Sequence, residues 1–166
     1  MFELQLNHPI ILSINEEENL SLEDAIECIF PLETEALILI WNNVKVPLIY
    51  KYDISIMVLD FIKIFHFIED DESSCLNIHW ASNTFATVWN FNKKYDFIVI
   101  KTEWNNVIGG TVAVNILNER NENILNKDEF RKEIKKILEF LKFALEQSGL
   151  NLNMIVDFEK LETCCR

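Results

Sequence analysis

Glycine and proline are nearly missing from this chain, with three of each in 166 residues. Phosphate-binding loops need glycine so that backbone N–H groups can close on the anion, and neither a Walker nor a dinucleotide-binding pattern occurs. No serine nucleophile elbow occurs either. The one Gly-Gly pair, Gly109 and Gly110, follows Trp104-Asn105-Asn106 and reads as a hairpin turn. No Ser/Gly/Pro-rich linker or domain-scale repeat divides the sequence, so a single domain over 1–166 is expected.

Long apolar runs are also absent. The richest stretch, 54–68, is interrupted by Asp60, Lys63 and His66, too short and too charged to cross a bilayer. Met1-Phe2-Glu3-Leu4 places no basic residue ahead of an apolar run, so no secretory signal is read and a cytoplasmic location is expected.

Metal and catalytic spacings are missing too. Cys28 and Cys75 read as reduced core or near-surface thiols, while Cys164 and Cys165 are adjacent and lack ligand partners at finger-like spacing. Arg166 after them breaks the prenylation pattern. His8, His66 and His79 form no H-E-x-x-H, H-x-E or Cys-His grouping. His66 with Asp60 or Asp70 on one helix face is an acid/base arrangement in principle, but a solvated helix side explains it more simply. No catalytic residue, cofactor or metal is assigned, and the chain reads as a binding protein rather than an enzyme.

What is present is asymmetric charge. Residues 1–75 carry fifteen acidic side chains against Lys45, Lys51 and Lys63, a balance of −12, whereas 76–166 carry twelve of each sign. The acids cluster at Glu16, Glu17 and Glu18, at Glu33 and Glu35, and at Glu69, Asp70, Asp71 and Glu72. The last run lacks the spacing and the glycine of a calcium loop. A negative surface repels nucleic acid and draws in a basic partner. The best basic segment, 127–142, is balanced by Asp128, Glu129, Glu133 and Glu139, which again disfavours nucleic acid.

The pattern predicts an α+β fold: an antiparallel sheet of five to seven strands with two main helices, about 53–69 and 126–148, packed on it. The second has Phe130, Ile134, Ile137, Leu138, Leu141 and Leu145 at helical spacing, Asn126 as N-cap and Gly149 at its end. A short helix over 22–30 is capped by Ser21 and stopped by Pro31. Trp-Asn-Asn-Val occurs at 41–44 and again at 104–107, read as the same hairpin chemistry used twice. Strands over 84–91 and 95–103 flank Asn92-Lys93-Lys94, which pairs Phe91 with Tyr95, Trp89 with Phe97 and Thr87 with Val99; 111–117 adds a third strand.

With its acidic first half, its aromatic strands over 84–117 and the amphipathic segment Glu129-Phe130-Arg131-Lys132-Glu133-Ile134, the chain resembles bacterial toxin-immunity proteins of contact-dependent growth inhibition and polymorphic toxin systems. The resemblance is one of overall profile and carries over no individual residue. It implies a cytoplasmic inhibitor that binds one cognate toxin domain, a basic nuclease, by blocking its active site or an adjacent patch. The expected contacts are the acidic clusters at Glu16, Glu17, Glu18, Glu33, Glu35, Glu69, Asp70, Asp71 and Glu72, with Trp80 and Trp104 as aromatic anchors where exposed. Two other readings share parts of this profile: a phage-type inhibitor or DNA mimic, and an enzyme of undetected class.

Overall fold

A computed structural model describes residues 1–14, 19–32 and 36–166. In chain order the elements are β1 (Phe2–Gln5), β2 (Leu20–Ser21), α1 (Leu22–Ile29), β3 (Leu37–Trp41) and β4 (Val44–Leu48). A π-helical turn (Tyr50–Ile54) leads into α2 (Ser55–Glu69), followed by β5 (Cys75–Ala81), β6 (Phe85–Lys94) and β7 (Phe97–Val107). Then come α3 (Gly110–Glu119), β8 (Glu122–Asn126), α4 (Lys127–Gln147), β9 (Ile155–Val156) and α5 (Phe158–Cys164). Among the described residues no helix is long and apolar enough to cross a membrane.

The capping signals are realised. The Ser21 hydroxyl accepts from the Asp24 N–H at the start of α1, and the Asn126 side chain accepts from Asp128 and Glu129 at the start of α4. Asn42 and Asn43 both take positive φ, +47° and +69°, and close the β3–β4 hairpin. On α2 more than half the circumference is buried, including Ser55, which donates its hydroxyl to the Lys51 carbonyl at 2.6 Å.

The class is α+β, but the strands do not form one sheet of five to seven. The order β5-β6-β7-β8 makes a four-stranded antiparallel sheet, β1-β3-β4 a three-stranded one, and β2 pairs with β9 in parallel. The reason lies in the tryptophans. The β3–β4 hairpin does not extend the larger sheet; it sets Trp41 against that sheet's Trp89 and Trp104, with ring centroids 5.0 and 5.6 Å away. Trp41 Nε1 donates to the Arg120 carbonyl at 2.7 Å, which pins the hairpin tip to the connection between α3 and β8. Phe2, Trp80, Phe85, Phe91 and Phe130 complete the aromatic core.

Three local readings need correction. The β6–β7 turn falls at Tyr95-Asp96, not at 92–94, so Phe91 pairs with Ile100, Trp89 with Thr102 and Thr87 with Trp104. Against the expected pairing this is a slip by an odd number of residues, which reverses the face of one strand. It buries Ile98, Ile100 and Trp104 beside Trp89 and leaves Phe97 half exposed. The second Trp-Asn-Asn-Val is not a turn, for Asn105 and Asn106 lie inside β7. Residues 111–117 are helical rather than a strand. Gly109 and Gly110, at φ +115° and +65°, turn the chain back. The amide of Asn118 then donates to the Trp104 carbonyl and accepts from the Trp104 N–H, both at 2.9 Å. β8 pairs with β7 only as far as Lys101, so α3 covers the remaining edge and one side chain stands in for a strand.

Candidate functional site

Two acids of the run at the end of α2 have cation partners within the fold. Glu69 pairs with Arg131, and Asp71 with Lys127 at 3.2 Å, both cations coming from α4. The Ser73 hydroxyl and then the Glu72 N–H donate to Asp70 and hold its carboxyl below the usual range. Lys93 donates to the Asp70 carbonyl and lies over the Phe67 ring at 4.4 Å; burial, then neighbouring Lys127, pull its amine below the usual lysine range. The run thus links α2 to β6 and α4 through surface contacts, while its four side chains stay exposed. Trp80 and Trp104 are 4% and 2% exposed, core rings rather than anchors. Glu16, Glu17, Glu18, Glu33 and Glu35 lie outside the described residues.

A second group of acids lies on α1. Between positions 16 and 35 the sequence holds eight acidic residues and no lysine or arginine. Within that window α1 presents Glu23, Asp24 and Glu27, and its packing on α2 brings Asp60 alongside. Burial, then the adjacent charges of Asp24 and Asp60, push the Glu23 carboxyl above its ordinary value against a smaller opposing pull from Lys63. Lys63 is itself paired with Asp60 at 2.8 Å. Acids gathered beside one another in this way favour the approach of a cation.

The group is inconspicuous in the sequence because Asp24 serves the Ser21 cap and Glu23 and Glu27 are not consecutive. The i, i+4 spacing of Glu23 and Glu27 was the available signal. Asp60 is out of reach of any local pattern, since it arrives from another helix.

Two constellations bear on chemistry. Cys164 Sγ lies 3.8 Å from His66 Nε2, a pairing the linear spacing did not show. Burial, then Cys165, push that thiol up to about 11, so at neutral pH it is a protonated thiol and not the thiolate a nucleophile requires. Asp53 is fully buried and accepts from the Ile49 N–H at 2.8 Å, the Thr84 hydroxyl at 2.6 Å and the Ser82 hydroxyl. Those donors tie the π-helical turn to the β5–β6 connection. Among the described residues no three His, Cys, Asp or Glu side chains group to hold a metal ion. His8 and His79 are exposed and stand apart from both constellations.

No family model, curated protein or solved structure matches the chain. The functional reading therefore rests on the molecule's own surface.

Proposed function

We propose that this chain binds and neutralises one basic protein, in the manner of a bacterial toxin-immunity protein, and that α1 presents the contact surface. The observation that carries the reading is the window 16–35, with eight acids and no lysine or arginine, whose described members Glu23 and Asp24 lie beside Asp60 while Lys63 and Lys51 are the nearby cations. In this reading inhibition is steric and electrostatic. A basic nuclease builds its cleft for phosphates, and a carboxylate-rich helix competes for the same cations. The chain works in the cytoplasm without turnover, cofactor or metal.

The test is growth rescue. A toxin gene is expected beside the gene for this chain, and its product is expressed in a susceptible host with either the wild-type chain or the Glu23→Lys/Asp24→Lys/Glu27→Lys variant. Rescue by wild type, and a loss of at least tenfold in plating efficiency for the folded variant, support the reading. A harmless neighbouring product, or a variant that protects as well as wild type, contradicts it.

A further inference from the structure

Sheet edges offer unpaired backbone groups to any other strand, and proteins guard them with charge, proline or covering side chains. Of the four edges of the two antiparallel sheets, two are guarded here and that of the short β8 is engaged at one end. β4 carries Lys45 and Pro47. On β1 the Leu4 N–H donates to Glu133 Oε2 at 2.7 Å, and on β8 the Glu122 carbonyl accepts from the Asn42 amide at 2.9 Å.

β5 is different. Lys93 N–H donates to the Ser74 carbonyl and Ser82 N–H to the Phe85 carbonyl, so the even-numbered residues of β5 face β6. The backbone N–H and C=O groups of Cys75, Asn77, His79 and Ala81 therefore point away from the sheet. Among the described residues nothing pairs with them. The strand is seven residues long, and residues 73–92 contain no Asp, Glu, Lys or Arg in a chain that is 25% charged.

The Ala81 end of this edge opens into a cleft of about 350 Å³ lined by Tyr52, Ile56 and residues 81–84. Tyr52 and Ile56 are 43% and 40% exposed. Asp60 sits one helical turn beyond Ile56 on the same face of α2, which joins this cleft to the acidic group at Glu23 and Asp24. A free edge, an apolar cleft and an acidic flank are thus continuous.

We propose that β5 is a strand-addition site, and that its occupant is an extended segment of the basic partner. That segment is uncharged and alternating where it pairs with 75–81, places one apolar side chain in the Tyr52–Ile56 cleft, and carries a lysine or arginine towards Asp60. Main-chain bonds supply affinity in such pairings and side-chain pockets supply selectivity. A second copy is the poorer occupant. Two chains of net charge −12 repel, and antiparallel self-pairing of the full strand would set Cys75 opposite Ala81, leaving the cleft unfilled. The proposal rests on the reading of a basic protein partner.

The probe is a synthetic peptide of the length of β5, alternating valine and threonine with a lysine at each end, titrated into the full chain while amide exchange and chemical shifts are followed. Slowed exchange at Cys75, Asn77, His79 and Ala81, lost in a folded His79→Pro variant, supports the site. That proline removes only an outward N–H, so the β5–β6 ladder keeps its bonds. If His79→Pro does not fold, Asn77→Lys serves instead, adding an edge charge. No change at these amides at millimolar peptide overturns the proposal. Protection already present in the free chain and rising with its concentration overturns it in favour of self-association. Shifts confined to Glu23, Asp24 and Asp60 reject strand pairing while leaving the acidic-surface reading intact, and failed growth rescue would remove that reading instead.

Discussion

Replacing Asp53 with alanine tests whether the buried carboxylate clamps the molecule or merely survives in it. Three donors converge on it, from Ile49, Ser82 and Thr84, and each hydrogen bond to a charged acceptor contributes about 1.5–3 kcal/mol. Against that gross gain stands a desolvation cost of several kcal/mol for the charge, which alanine recovers. One donor also has an alternative, because the Ser82 hydroxyl lies 3.1 Å from the Phe85 carbonyl. The Ile49 N–H and Thr84 hydroxyl are left behind, so the net expected loss is about 2–4 kcal/mol, a large share of the roughly 5–15 kcal/mol that holds a domain together. Asp53→Asn keeps one oxygen for the hydroxyls but turns an NH2 towards another group, and should fall about halfway. Urea denaturation reads this as a lower midpoint at unchanged slope. An alanine variant within about 0.5 kcal/mol of wild type would refute the reasoning, because burial of the charge would then cancel its bonds.

Glu23→Gln should raise the melting temperature at neutral pH. A carboxyl whose folded value is raised costs stability that sets in above the ordinary glutamate value and is complete above the raised one, so the gain should vanish below the ordinary range; a gain equal at all pH values would deny that burial and neighbouring acids raise the Glu23 carboxyl. Asn118→Ala removes both bonds to the Trp104 backbone and is expected to cost about 1–3 kcal/mol and to speed exchange of the Trp104 amide, with an unchanged exchange rate counting against the strand-mimic role.

Elements specified by their own residues were legible in the sequence. Ser21, Asn126 and the Asn42-Asn43 pair each close a local structure by short-range hydrogen bonding or positive φ, and α1, α4 and the first hairpin follow. Failures occurred where distant groups decide. The same Trp-Asn-Asn-Val is a turn at 41–44 and strand at 104–107, because there Asn118 grips Trp104 and the Asn106 amide donates to the Asn83 carbonyl. Thr111, Val112 and Val114 are β-branched and favour a strand, yet the segment packs across β7 as a helix. The ion pairs of Glu69 and Asp71 were not legible in the acidic run at 69–72, because Arg131 and Lys127 lie far along the chain. For the same reason Asp60 was not grouped with α1.

The measurement that bears most directly on the central claim is the association rate between this chain and the basic protein it neutralises, followed by stopped flow over a range of ionic strength. Screening acts over about 10 Å at 0.1 M salt, so steering by the acidic face should fade while short-range contacts persist. The account predicts a wild-type rate that falls at least tenfold between about 0.02 and 0.5 M salt, and a Glu23→Lys/Asp24→Lys/Glu27→Lys rate that starts low and stays nearly flat. A wild-type rate indifferent to salt, or a variant with the same slope, would contradict it.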